Sequence, residues 1–327
     1  MVRPVSVSHG GDLAEARHLA GGKAVLDLST GINPHAYPAT VPLDAMTGLP
    51  QSEMLAGCLA AAREAYRVPA SAAIAAAPGT QAILQWLPRL FSARRVAVVG
   101  PTYGEHAATW RRCAEVVEVP DLAAAEGADV AVVVTPNNPD GRRTPAAEIA
   151  AFAAATGARV IVDEAFGDLD PAATAAGRPG TLVLKSFGKF YGLAGLRLGF
   201  AIGDAADIAT LADALGPWAV SGPALAVGRA ALADAAWAAA MRRRLAEERI
   251  ALDGALAAAG LAVVGGTDLF RLVETDQAAA WHHRLAERGI WTRRFTEAPD
   301  RLRFGLPGAA LPRLAQSLLA TRAALGV

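Results

Sequence analysis

Five short apolar runs along the first two thirds of the chain constrain its fold more than any other feature. They lie at residues 95–100, 128–136, 158–165, 181–186 and 196–203. Continuous apolar runs of this length are typical of strands that are buried on both faces. Helix-like stretches separate them, such as 144–157, which begins with Thr-Pro and ends with Gly. The pattern predicts an α/β fold with a largely parallel sheet covered by helices.

The pattern changes after about residue 216. An Ala/Arg-rich stretch at 224–259 predicts one long helix, and the strand-like and helix-like segments that follow are typical of a smaller α+β unit. Two prolines in 216–224 predict a hinge. We therefore expect three parts: an N-terminal arm (1–33) that contributes to the small domain and the substrate site, a large domain (34–216) and a small C-terminal domain (217–327).

Composition narrows the class of partner. Lys+Arg and Asp+Glu both total 31, so the net charge attracts neither nucleic acid nor an anionic membrane, and we expect a small-molecule partner. The two cysteines, Cys58 and Cys113, are far apart and lack the spacing of a metal site. We expect no disulfide, no metal and a reducing cytoplasm. No apolar run approaches the ~18 residues of a membrane span.

Polar residues follow the predicted strands. Ligands of parallel sheets bind beyond the carboxyl ends of the strands, and free N–H groups at Gly79-Thr80-Gln81, before an apolar helix, suit an anion. Each residue alone has an ordinary explanation, such as a turn, a helix cap or a solvated loop. Their coincidence at successive strand ends favours a ligand site. The strand-end residues are Tyr103, Asn137, Asn138, Asp163, Glu164, Ser186 and Lys189.

This set of groups matches the needs of pyridoxal phosphate. That cofactor requires a lysine for its aldehyde and a carboxylate that holds a proton on its ring nitrogen. It also requires donors for its phosphate, a partner for its phenolic oxygen and an aromatic side chain that stacks on its ring.

Residues 186–199, "SFGKFYGLAGLRLG", resemble the cofactor-lysine signature of fold-type I, class I/II aminotransferases. The resemblance covers nearly the whole chain. It implies a fold-type I transferase with pyridoxal 5′-phosphate bound covalently to Lys189. Its phosphate would be held by Ser186, Arg197 and Gly79-Thr80-Gln81. Lys185 is the weaker candidate for the covalent lysine, since it precedes the serine.

Other motifs extend the resemblance. "TPNNPDG" implies that Asn138 contacts the phenolic oxygen of the cofactor, and "DEAF" implies that Asp163 holds the pyridine nitrogen. "GPTYGEH" implies that Tyr103 stacks on the ring, so that Lys189, Asp163 and Tyr103 form the catalytic set. "RLRFG" resembles the strand whose arginine, here Arg303, pairs with the substrate carboxylate, a contact that suits a planar guanidinium.

Three features resemble the L-threonine-O-3-phosphate decarboxylases of cobalamin biosynthesis. They are "HGGDLAEA" (9–16) with "LDLSTGINPHAYP" (26–38), Phe166 where many aminotransferases carry a tyrosine, and the Pro-Trp segment at 217–218. The resemblance implies decarboxylation of a phosphorylated amino acid by a homodimer. It assigns substrate binding to Ser8, His9, Gly10, Gly31, Asn33, Asn138 and Arg303.

The chain also departs from its relatives. Leu49 replaces a tyrosine that donates to the cofactor phosphate across the dimer interface, and Gly188 stands where many relatives have serine or threonine. The sequence after Arg303 lacks the second arginine expected at the substrate phosphate.

The motifs argue against two alternative functions and leave a third one open. Ser186-x-x-Lys189 formally matches a serine-hydrolase motif, but the S-D-N and K-T-G companions are absent. No G-x-G-x-x-G follows a strand, which argues against an NAD dehydrogenase. An aminotransferase that acts on a phosphorylated amine or amino acid, such as histidinol phosphate, stays open, because the fold does not decide which bond at Cα breaks.

Overall fold

The chain folds as two units, which the computed structural model describes over residues 10–326. The first unit comprises Ala36–Asn138 and Arg142–Ala238, and the second comprises residues 10–35, Pro139–Gly141 and residues 239–326. The second unit thus resumes inside a helix, about twenty residues after the hinge that the prolines predict. The three-part division made from the sequence stays a prediction.

The helices are α1 (Ala14–Ala20), α2 (Leu43–Thr47), α3 (Ser52–Ala65), α4 (Thr80–Leu90), α5 (Glu105–Trp110), α6 (Ala146–Thr156), α7 (Phe187–Phe190), α8 (Ala205–Leu215), α9 (Gly222–Ala233), α10 (Ala235–Ala258), α11 (Ala278–Glu287) and α12 (Leu311–Leu325). The strands are β1 (Leu26–Asp27), β2 (Ala73–Ala77), β3 (Arg95–Val99), β4 (Glu115–Val119), β5 (Val130–Val134), β6 (Arg159–Asp163), β7 (Thr181–Ser186), β8 (Gly199–Gly203), β9 (Ala262–Thr267), β10 (Phe270–Glu274), β11 (Ile290–Trp291), β12 (Arg293–Arg294) and β13 (Arg301–Gly305).

Seven strands form the sheet of the first unit, in the order β2-β8-β7-β6-β5-β3-β4. All neighbours pair in parallel except β8, which runs antiparallel to both β2 and β7. The predicted α/β fold with a mostly parallel sheet is confirmed. Because six strands share one direction, their carboxyl ends meet at one edge of the sheet.

Two strands of this sheet, β2 and β4, were not predicted from the sequence. β2 reads AIAAA, and alanine has little preference for strands, so its pairing with β8 decides its conformation. β4 is the edge strand and is only partly buried. The helix α4, which follows β2, buries Ile83, Leu84 and Leu87 against the sheet. This packing holds the N-terminus of α4 at the carboxyl edge.

The single helix predicted over 224–259 is wrong, because the chain forms α9 and α10 with a break at Asp234. The backbone of Asp234 is not helical (φ −87°, ψ 75°), and its carboxylate accepts the N–H of Trp237 at 2.9 Å. This is the contact of an N-cap residue, which starts a new helix. Within residues 10–326 no single helix could span a membrane; α9 and α10 reach the length and composition only as a bent pair.

The second unit contains the antiparallel sheet β12-β13-β10-β9 and a short parallel pair, β1 with β11. The segment that follows β1 runs beside β13, since the N–H of Gly305 donates to the carbonyl of Leu28 at 2.8 Å. The segment Pro139–Gly141 joins this unit at β9, where Gly266 donates to Asp140 at 2.7 Å. Residues 28–35 are thereby held next to the end of β13.

Candidate active site

Asp163 ends β6, and two groups fix its buried carboxylate. Oδ2 lies 2.9 Å from Nε2 of His106 on α5, and Oδ1 accepts the N–H of Ala165 at 2.9 Å. The His106 side chain is fully buried. Its other ring nitrogen, Nδ1, has no hydrogen-bond partner among residues 10–326. With Nε2 as the donor, His106 holds the Asp163 carboxylate in one orientation.

Sequence analysis singled out Tyr103 in "GPTYGEH" and missed His106 three residues later. A spacing of three at the start of a helix places both side chains on one face, and their rings meet edge to face with centroids 6.0 Å apart. The Tyr103 phenol donates to Oε1 of Gln81 at 3.2 Å, and Nε2 of Gln81 donates to Glu105 at 2.7 Å. The helical spacing was the signal that could have found His106.

The N-terminus of α4 lies beside Arg197 and is a candidate anion site. Its N-cap residue is Gly79, which has no side chain to cap the helix, and helix N-termini of this kind suit an anion. Gly79 precedes it with φ 84°, and a Cβ added there would lie 2.7 Å from Nη2 of Arg197. Arg197 is itself left-handed (φ 56°) and donates to the Ala194 carbonyl at 3.1 Å. The guanidinium therefore lies directly beside the helix N-terminus.

Lys189 lies on the short helix α7, which begins immediately after Ser186 at the end of β7. Gly188 is buried between this helix and the following turn. A Cβ on Gly188 would lie 2.6 Å from Cα of Ala194, so serine or threonine does not fit there in this chain. The absent hydroxyl noted in the sequence thus follows from the close approach of two backbone segments.

Lys185 is occupied elsewhere. Its ammonium forms an ion pair with Glu164, both side chains are almost fully buried, and Nζ lies 5.3 Å from the centroid of the Tyr66 ring. Glu164 also accepts hydrogen bonds from Thr174 and from the N–H of Ala175, each at 2.7 Å. Since successive strand residues point to opposite faces, Lys185 and Glu164 face away from the side used by Ser186 and Asp163.

The two asparagines after β5 differ in their contacts. Asn137 is buried; its side chain accepts from the Thr102 hydroxyl at 2.6 Å and donates to the Pro101 carbonyl at 3.0 Å. It therefore ties the ends of β5 and β3 together. Asn138 is half-buried, and Phe166, beyond β6, is buried.

The residues predicted to bind the cofactor all belong to the first unit. They fit pyridoxal phosphate: an anion site stands at α4, an oriented carboxylate ends β6, and a lysine follows β7. The close approach of the Arg197 guanidinium to Gly79, which leaves no room for a Cβ there, is the strongest sign of a built phosphate cradle. The residues predicted to bind the cofactor are Gly79, Thr80, Gln81, Tyr103, Asn138, Asp163, Phe166, Ser186, Lys189 and Arg197.

Arg303 is a buried arginine of the second unit. It is buried on β13, its Nη2 donates to the Ser29 carbonyl at 2.7 Å, and its guanidinium carbon lies 5.0 Å from the centroid of the Phe270 ring. Burial, and then the charge of Arg293, lower the pKa of Arg303 to about 9, while Asp27 opposes this shift. An anion bound there would compensate the charge that burial leaves poorly solvated.

A second arginine stands beside Arg303, although the stretch "FGLPG" that directly follows Arg303 has none. The register of β12 and β13 pairs Arg293 directly with Arg303. Residues that face each other across an antiparallel pair share one side of the sheet. Strand pairing thus brings Arg293, from ten positions earlier in the chain, next to Arg303.

The remaining predicted substrate residues lie on the segment beside β13. Gly31 and Asn33 are buried, and the Asn33 side chain accepts the N–H of His35 at 2.8 Å. Gly10 and Arg303 also belong to this unit. Ser8 and His9 lie outside the described residues.

The family model for class I and II aminotransferases matches residues 47–318. A threonine-phosphate decarboxylase of Sinorhizobium sp is 45% identical and covers 96% of this chain and 98% of the relative. One from Pseudomonas aeruginosa is 42% identical, with coverages of 96% and 97%.

Solved structures show the same fold. The histidinol-phosphate aminotransferase of Sinorhizobium meliloti, in complex with pyridoxal-5′-phosphate, superimposes with a TM-score of 0.83 at 20% identity. The match covers 99% of this chain and 98% of that one. Together with the family model, which spans most of the chain, these likenesses show that the chain belongs to the class I and II aminotransferase family.

Proposed function

We propose that this chain is a pyridoxal-phosphate-dependent decarboxylase that converts L-threonine O-3-phosphate to (R)-1-aminopropan-2-yl phosphate in cobalamin biosynthesis. The observation that carries the proposal is the likeness, at 42–45% identity over nearly full length, to two threonine-phosphate decarboxylases. A carbon–carbon lyase of this kind needs the cofactor site of the first unit and a site for two substrate anions.

The chemistry that pyridoxal phosphate supplies when bound is an electron sink for the electron pair left at the substrate Cα. Lys189 holds the cofactor through Nζ and afterwards carries protons at that atom. Asp163 keeps a proton on the pyridine nitrogen, and His106 orients the carboxylate that does so. Arg197 and the first N–H groups of α4 bind the phosphate of the cofactor.

Arg303 and Arg293 suit a substrate that carries two anions. We assign Arg303 to the carboxylate, because a planar guanidinium binds a carboxylate with two parallel hydrogen bonds. Arg293, its partner across β12–β13, adds a positive charge for the phosphate. The N-terminal segment, from Ser8 and His9 through Gly10 to Gly31 and Asn33, contributes hydroxyl, imidazole, amide and backbone donors to the same phosphate.

The alternative function is an aminotransferase for a phosphorylated amine or amino acid. A histidinol-phosphate aminotransferase of Thiobacillus denitrificans, 30% identical over 84% of this chain and 72% of the relative, favours it. With the cofactor bound, the orientation in which Arg303 would hold the substrate carboxylate would decide between loss of carbon dioxide and loss of a proton from Cα.

We also propose a homodimer that works in the cytoplasm, where its two free cysteines would stay reduced. Four apolar side chains before α3, here called the apolar strip, are exposed: Val41, Leu43, Met46 and Leu49. Leu43 is 76% and Met46 65% exposed. A second copy of the chain would cover this apolar surface, and Leu49 would then add an apolar contact where relatives place a tyrosine.

Product analysis tests the proposed reaction. We expect the cofactor-loaded protein to release carbon dioxide from L-threonine O-3-phosphate and to form the amino-alcohol phosphate in equal amount, measured by trapped carbonate and mass spectrometry. A 2-oxo acid formed without carbon dioxide would instead establish the aminotransferase.

Borohydride reduction followed by peptide sequencing tests the covalent lysine. We expect the cofactor label on Lys189, and we expect Lys189→Ala to lose both the label and the yellow colour. Lys185→Arg keeps a positive charge beside Glu164 and serves as the matched control, which should retain both. Persistent labelling of Lys189→Ala would refute the assignment.

Steady-state kinetics test the role of Asp163. Asp163→Asn removes the charge that holds the ring proton, and we expect kcat to fall more than tenfold, which corresponds to over ~1.4 kcal/mol of activation free energy. His106→Phe removes the orienting donor and should lower kcat less, while His106→Gln, which keeps a donor, should recover part of it. An Asp163→Asn enzyme within tenfold of wild type would exclude this role.

Sedimentation velocity tests the dimer. We expect Leu43→Glu with Met46→Glu to produce monomers, because two buried charges would oppose burial of the apolar strip. Leu319→Glu, an equally polar change at an exposed leucine of α12, should leave the dimer intact. A wild-type protein that sediments as an active monomer would contradict the proposal.

A further inference from the structure

Ser29 of the second unit uses every polar atom it has. It is 1% exposed. Its N–H and its hydroxyl both donate to Oδ1 of Asp27, at 2.8 and 2.6 Å. Its Oγ also accepts the N–H of Gly11 at 2.9 Å, and its carbonyl accepts Nη2 of Arg303 at 2.7 Å. One small residue thus contacts both the Gly10-Gly11 segment and the arginine of β13.

The direction of these hydrogen bonds is determined. A carboxylate oxygen can only accept, so the Ser29 hydroxyl must point its hydrogen at Asp27 and its lone pair at the Gly11 amide. The carboxylate of Asp27 therefore acts through Ser29 to define where Gly11 sits.

Gly10 has no room for a side chain where its backbone passes Ser29. A Cβ on Gly10 would overlap the carbonyl oxygen of Ser29, and Gly11 has φ 90°, a region that favours glycine. The two glycines of "HGGD" are therefore required where the N-terminal segment passes Ser29. The same carbonyl that limits Gly10 accepts the Arg303 hydrogen bond.

We propose that Ser29 is a positioning residue for both anion sites of the substrate, the hydroxyl for the phosphate site and the carbonyl for the carboxylate site. Its hydroxyl holds the Gly10-Gly11 segment and its carbonyl holds Arg303. The inference rests on the proposed function, which assigns these two partners to the two anions of the substrate. Asp27 supports both contacts of Ser29. Its carboxylate accepts hydrogen bonds from Ser29, and its charge opposes the lowering of the Arg303 pKa.

One substitution separates the hydroxyl contact of Ser29 with Gly11 from its carbonyl contact with Arg303. Ser29→Ala removes the hydroxyl and leaves the carbonyl, so Gly11 loses its acceptor while the Arg303 contact remains. An effect confined to phosphate distinguishes positioning from a general loss of stability, which would weaken both anions.

Calorimetry measures the binding of phosphate and of L-threonine separately. The protein is loaded with cofactor, because the cofactor then keeps added phosphate out of the Arg197 site. With Ser29→Ala we expect the Kd of inorganic phosphate to rise about tenfold, which equals ~1.4 kcal/mol, and the Kd of L-threonine to stay within about twofold. Hydrogen exchange at the Gly11 amide should accelerate. Ser317→Ala, the same change on α12 of this unit, is the control and should match wild type.

Equal changes in the two Kd values, or no change in either, would overturn the assignment of the Ser29 hydroxyl to the phosphate site. Ser29→Cys keeps the size of the side chain with a weaker acceptor and should give an intermediate rise for phosphate alone, so the test stands if Ser29→Ala does not fold. Neither measurement needs turnover. A wild type that releases no carbon dioxide would therefore refute the proposed reaction without deciding the role of Ser29.

Discussion

The parallel hydrogen-bond ladder of β3, β5, β6 and β7 is the constraint on which the cofactor site depends. It brings the carboxyl ends of strands far apart in sequence to one edge, so that Asp163 and Ser186 each follow a neighbouring strand. Beyond the ladder, side chains complete the alignment: Asn137 bridges to the loop after β3. Without this shared direction, the polar residues after each strand would have no common ligand.

Strand alternation divides the polar groups at this edge into two sets with different tasks. Asp163 is oriented by His106 on one face, whereas its neighbour Glu164 pairs with Lys185 on the other. Breaking a buried ion pair by removal of one partner costs about 3–5 kcal/mol. Loss of either Lys185 or Glu164 would therefore leave an uncompensated buried charge, and the pairing occupies both side chains. Lysines only four positions apart consequently have unrelated roles.

In the second unit, the dominant physical effect is the burial of positive charge. Arg303 is buried beside Arg293, and the pKa of Arg303 falls because both desolvation and the like charge oppose protonation. Asp27 and the Ser29 carbonyl compensate in part. An anionic ligand bound beside these arginines would add counter-charge and so favour their protonated forms.

The sequence by itself determined the α/β class, the covalent-lysine signature around Lys189 and the strand-end position of Asp163, because continuous apolar runs and glycine-rich turns are local features. It did not reveal β2, whose alanines pair only because β8 lies beside them, or the helix break that Asp234 caps. His106 and Arg293 were also missed. The helical spacing from Tyr103 could have indicated His106, but its contact with Asp163 depends on helix packing, and the position of Arg293 depends on strand register, a long-range feature that leaves no mark on the local pattern. Tertiary structure alone decided which lysine is sequestered, which arginine joins Arg303, and how Ser29 connects the N-terminal glycines to β13.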